Sequence, residues 1–131
     1  MAKRVLIVDD DPEFVETTKI ILESSGYVTR TAGNGQEALA QLQNEKPDII
    51  LMDVMMRTKG DGVWASQKLR SDEKFRGIPV LMITAVNKES ETRSFHLDPK
   101  ADGDYLPVDG FLEKPVEPAV LLREVARLLK Q

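Results

Sequence analysis

The chain contains no cysteine, a single histidine and few aromatic residues, 5% of its 131 positions. Without cysteine there is no disulfide framework, no thiolate catalysis and no Cys-ligated zinc, a composition that suits a reducing compartment. His96 has no companion ligands in the sequence and is read as a surface residue. No apolar run exceeds strand length, and Met1-Ala2-Lys3-Arg4 leads straight into one, so neither a transmembrane helix nor a secretory core segment is expected. With 18 basic against 22 acidic side chains, the formal charge of -4 offers no footprint for nucleic acid or for a membrane surface. These absences predict a cytoplasmic chain. Its length, free of repeats, low-complexity tracts and interdomain linkers, predicts one domain over residues 1–131.

Four short apolar runs each end on polar residues able to do chemistry. Val5-Leu6-Ile7-Val8 ends on Asp9-Asp10, Ile49-Ile50-Leu51-Met52 on Asp53, Val80-Leu81-Met82-Ile83 on Thr84, and Phe111-Leu112 on Glu113-Lys114. Continuous apolar runs of this length suit parallel strands covered on both faces. Helical patterns lie between them. Asp11-Pro12 supplies a cap and first residue for a helix through Phe14, Thr18, Ile21 and Leu22, and Gly26 stops it. Tyr27 to Ala32 alternates as a less buried strand, and Asn34 with Glu37 caps a helix carrying Ala38, Leu39 and Leu42. Val63 to Ser71 reads as a helix packing through Val63, Ala65 or Ser66, and Leu69. Pro79 is placed at the opening of the fourth strand. Lys88 to Phe95 could form a short helix, but Pro99, Gly103, Pro107 and Gly110 predict a long loop before a fifth strand over Gly110 to Lys114. Pro118 to Lys130 completes the chain as a helix with Leu121, Leu122, Val125, Leu128 and Leu129 on its apolar face. Five alternations imply a doubly wound parallel sheet with right-handed crossovers.

Such sheets bind ligands at their carboxyl edge. Three carboxylates sharing one small site repel one another unless a cation neutralises them. Magnesium takes one or two carboxylates plus water and phosphate oxygens, which suits Asp9, Asp10 and Asp53 better than a full calcium cage. Asp102-Gly103-Asp104 resembles a calcium loop, but Leu106 stands where the next oxygen ligand is needed. Asp53, alone at its strand end, is the candidate nucleophile for phosphoryl transfer, and the Thr84 hydroxyl and Lys114 ammonium are candidate partners of the phosphoryl oxygens.

Val5-Leu6-Ile7-Val8-Asp9-Asp10-Asp11, Asp53, Asp61-Gly62, Thr84-Ala85 and Phe111-Leu112-Glu113-Lys114-Pro115, in that order, resemble the receiver domain of two-component response regulators. The resemblance runs from about Lys3 to Leu129. It implies a flavodoxin-like fold of five parallel strands in the order 2-1-3-4-5. It also implies phosphoryl acceptance by Asp53 from a sensor histidine kinase or phosphotransfer protein. Asp9, Asp10, Asp53 and the Met55 carbonyl would hold Mg2+, Thr84 and Lys114 would contact the phosphoryl group, and Phe111 would be the aromatic that reports a shift of Thr84. A cis Lys114-Pro115 bond is implied as well. In this reading the chain is a phosphoacceptor signalling domain that assists its own phosphorylation and dephosphorylation and switches an output partner, with no direct role for nucleic acid.

Two features depart from the family pattern. Relatives commonly carry a proline where Arg57 stands, which places Arg57 or Lys59 near the phosphoryl pocket. The stretch from Thr84 to Phe111 is longer than in typical relatives, which predicts an irregular region around the fourth helix and a remade output face. Apolar Met55 and Val86 offer no group to orient an attacking water, so slow self-dephosphorylation is expected. Two rivals stand beside the receiver reading. A magnesium-dependent aspartate-nucleophile phosphatase is disfavoured because Met55, and not an acid, stands two residues past Asp53. An unphosphorylated scaffold is disfavoured by the intact Asp53, Thr84 and Lys114. Asp11 is assigned to helix capping, Trp64 to packing, and Lys68, Arg70, Lys74 and Arg76 to a solvated helix face.

Overall fold

A computed structural model describes residues 2–53, 68–85 and 109–129, with Thr84 and Ala85 placed through their backbone. Five strands, β1 (Arg4–Val8), β2 (Val28–Ala32), β3 (Ile49–Asp53), β4 (Val80–Ala85) and β5 (Gly110–Lys114), form one sheet in the order β2-β1-β3-β4-β5. Every pairing is parallel. This is the flavodoxin-like order that the family resemblance implies. Helix α1 (Pro12–Ser24), helix α2 (Gly35–Leu42), a helical turn over residues 68–71 and helix α3 (Pro118–Leu128) lie beside it.

Local signals set the helix ends. The Asp11 side chain accepts from the amides of Glu13 and Phe14, and Asn34 Oδ1 accepts from the Glu37 amide at 2.8 Å. Each cap satisfies donors that have no partner inside the helix. Gly26, at φ +93°, makes the left-handed turn that sends the chain from α1 into β2.

Strand alternation divides the core in two. Val5, Ile7, Ile49, Leu51, Leu81 and Ile83 pack against Leu22 of α1 and Leu121 and Val125 of α3. Leu6, Val8, Ile50, Met52, Val80 and Met82 face Ala38 and Leu42 of α2 together with Leu69, Phe75 and Ile78. Central β3 is buried at all five positions, whereas edge strand β2 buries only Ala32. That contrast explains why the first reads as a continuous apolar run and the second as an alternation.

Four sequence assignments are corrected. The second strand begins at Val28, since the Tyr27 amide is taken by Leu22 O at 3.1 Å. The fourth begins at Val80; Pro79 precedes it and offers its carbonyl to the Ile50 amide at 3.0 Å. Helix α3 ends at Leu128 and not at Lys130. Arg70 is not part of a solvated face: its guanidinium donates to the carbonyls of Arg76 and Ile78 and to Asp109. Met55, Arg57, Lys59, Asp61, Gly62, Val63, Trp64, Ala65, Ser66, Val86, His96 and the stretch from Lys88 to Pro107 lie outside the described residues.

Candidate functional site

Register brings the acidic residues together. Val8 pairs with Met52, so Asp9, just past β1, and Asp53, the last residue of β3, are neighbours at the carboxyl edge of the two central strands. Asp53 pairs in turn with Ile83, and Ala85 with Lys114. Alternation of period two then selects the face. Asp9 follows the parity of Val5 and Ile7, Asp53 that of Ile49 and Leu51, and Lys114 that of Leu112, all on the side covered by α1 and α3.

The side chains meet there. Carboxylate oxygens of Asp9, Asp10 and Asp53 lie within 4.8 Å of one another, with Asp9 and Asp53 buried and Asp10 exposed. Lys114 Nζ donates to Asp9 Oδ2 at 2.8 Å and lies 3.5 Å from Asp53 Oδ2. Asp9 Oδ1 accepts from the Asp11 amide at 2.9 Å, which fixes the carboxylate that Lys114 also engages. The Lys114 ammonium stands 4.1 Å from the centroid of the Phe14 ring. Burial is the largest influence on Lys114 and lowers its pKa, yet the Asp9 hydrogen bond and the charges of Asp53 and Asp9 together outweigh it. The pKa is left above the ordinary 10.5. Three carboxylates and one ammonium carry a net charge of -2 when ionised (-3 + 1), the charge that one divalent cation cancels. All donors are hard oxygens, which suits magnesium.

The remaining candidates are placed less completely. The Thr84 backbone, next to last in β4, pairs with Glu113, one residue past the Ile83–Asp53 pair. Phe111 is half-buried against the α2-side core, on the opposite face of β5 from Lys114. The Lys114-Pro115 bond is cis, as the resemblance implies. Met55 lies outside the described residues. Sequence reasoning missed the approach of Phe14 to Lys114; an aromatic in the first turn after the Asp9-Asp10-Asp11 run was the available signal.

The sequence matches the family model of the response regulator receiver domain over residues 5–126. The chain belongs to the response-regulator receiver family. It is 35% identical to the alkaline phosphatase synthesis transcriptional regulatory protein PhoP of Bacillus subtilis, over all of this chain and 50% of that protein. It is 32% identical to protein PilH of Pseudomonas aeruginosa, over 96% of this chain and 97% of that one. Among solved structures, a putative response regulator from Chloroflexus aurantiacus superposes with a TM-score of 0.84 at 30% identity, both chains being fully covered. Against its relatives that are transcriptional regulators, this receiver spans about half the length. Among the described residues no helix is long and apolar enough to cross a membrane.

Proposed function

We propose that residues 1–131 form a single phosphoacceptor domain in the cytoplasm, and that phosphorylation of Asp53 changes what the domain binds. The observation that carries this reading is the position of Asp53. Its buried carboxylate shares one edge of the sheet with Asp9 and Asp10 and faces the Lys114 ammonium. A carboxylate oxygen of Asp53 attacks the phosphorus of a phosphohistidine on a sensor kinase or phosphotransfer protein. An O–P bond forms as the P–N bond breaks, and the departing imidazole takes up a proton. Asp9, Asp10 and Asp53, together with the Met55 carbonyl that the family resemblance adds, would hold magnesium, which would neutralise charge on the phosphoryl oxygens. Lys114 provides a second, mobile positive charge, exchanging its bond with Asp9 for one with a phosphoryl oxygen. Thr84, near the end of β4, follows the phosphoryl group, and Phe111 on β5 responds to that shift. The output partner then distinguishes two populations of one domain.

The test is incubation with acetyl phosphate and magnesium chloride, read by intact mass. One phosphate on the native chain and none on Asp53→Asn supports the reading. No adduct on the native chain overturns it, as does rapid turnover of unrelated phosphoesters.

A further inference from the structure

Phe14 is the one aromatic side chain that touches the charged edge among the described residues, and nothing in phosphoryl transfer requires an aromatic ring there. It stands in the first turn of α1, where the Asp11 cap fixes its backbone: the Phe14 amide donates to Asp11 Oδ1 at 3.4 Å. The ring is half-buried and packs against the α1-side core. Its face lies 4.1 Å from Lys114 Nζ, well inside the range in which an ammonium is attracted to a ring. Phe14 and Lys114 also line an open groove between α1 and the start of α3, together with Thr17, Ile21, Pro115 and Val116. The ring face and the ammonium therefore meet at the wall of that groove.

We infer that Phe14 is a positioning residue: its ring face holds the Lys114 ammonium beside Asp53 while that ammonium exchanges Asp9 for a phosphoryl oxygen. The inference rests on the reading of Asp53 as phosphoacceptor. Lysine is a flexible point charge with a large rotamer entropy, and a hydrogen bond to Asp9 alone would hold it away from the reacting oxygen. A ring face attracts the charge without naming a direction. It leaves the N–H donors to oxygen partners, and it remains in place as those partners change. The ring occupies one side of the ammonium that water would otherwise hydrate, which strengthens its attraction to the developing charge. The ammonium keeps its charge beside Asp9 and Asp53 whatever the ring, so altering the ring changes cation binding at Asp9, Asp10 and Asp53 little.

The experiment replaces Phe14 with mono-, di- and trifluorinated phenylalanine, which weakens the negative ring face in steps while nearly preserving shape. Phe14→Trp and Phe14→Leu complete the series. Rate constants for phosphorylation by acetyl phosphate at saturating magnesium are read by intact mass, and magnesium affinity by calorimetry. The expected result is a stepwise fall of about three- to tenfold by the trifluorinated ring. Phe14→Trp keeps the native rate, Phe14→Leu matches the trifluorinated chain, and magnesium affinity stays within about twofold of native throughout. Fluorinated chains that react at the native rate overturn the inference, as does a Phe14→Leu chain that loses thermal stability alone. A native chain that takes no phosphate overturns the phosphoacceptor reading as well, and that failure is distinct because it precedes any substitution.

Discussion

Lys114 is bonded more closely to Asp9, at 2.8 Å, than to Asp53, at 3.5 Å. The ammonium assigned to the phosphoryl group thus rests on a carboxylate assigned to the metal. In the proposed reading a cation held by Asp9 would compete with Lys114 for that carboxylate, giving the edge two ways of cancelling its charge.

Lys114→Met removes one competitor. Magnesium affinity is expected to rise by about tenfold, the size of a repulsion between nearby charges at an intermediate effective dielectric. Calorimetric titration of both chains checks this. Weaker binding by the Met variant would show instead that Lys114 is needed to hold the carboxylates together.

The same pair predicts a pH dependence for the metal-free protein. Folding raises the Lys114 pKa above 10.5, so its contribution to stability is complete below that value and is lost as pH climbs through the higher folded-state value. Urea melts at pH 8, 10 and 11, in steps set by the ordinary lysine pKa of about 10.4, should show the native chain losing its advantage over Lys114→Met only at the alkaline end. A constant difference across that range contradicts the assignment.

Asp11 belongs to the same acidic run as Asp9 and Asp10, yet its carboxylate is turned to the helix, accepting from Glu13 N at 3.1 Å and Phe14 N at 3.4 Å. Asp11→Ala should cost about 1 kcal/mol of stability, and Asp11→Ser much less, because serine also caps. For a domain of this size the loss lowers the melting temperature by about 4 °C. Phosphate uptake per chain should be unchanged at a temperature where both are folded; an Asp11→Ser chain that takes up none would move Asp11 into the site.

At the opposite end of the sheet, Arg70 reaches Asp109, whose Oδ2 also accepts from the Val80 amide at 2.8 Å. The pair ties the start of β4 to the start of β5, the two strands flanking the long stretch from Val86 to Val108. Both side chains are partly exposed, which limits the Coulombic part. Arg70→Met is expected to cost about 1–2 kcal/mol, most of it from the carbonyls of Arg76 and Ile78 that lose a donor. A double-mutant cycle with Asp109→Asn should give a coupling of about 0.5 kcal/mol or more. Additive losses would reduce the contact to a neighbouring of charges.

Much of this was legible in local sequence. Apolar runs ending on acids locate strands β1 and β3, because a buried strand excludes charge until it reaches the sheet edge. Caps are equally local: Asp11 and Asn34 bond amides within three residues. Arg70 was misread for the opposite reason. A basic residue near a helix end is ordinarily solvated, and Asp109, its partner, lies 39 positions away. Phe14 was visible only as an apolar helix residue.

By itself the sequence determined the elements, their order and the types of group at the carboxyl edge, since propensity, capping and burial pattern act over a few residues. Only the tertiary structure decided which of those groups meet. Parallel register sets Asp9 beside Asp53, strand alternation turns Lys114 to the same face, and the packing of α1 on that face brings Phe14 over the ammonium. These are distances between residues up to 105 positions apart, fixed by how whole strands and helices pack.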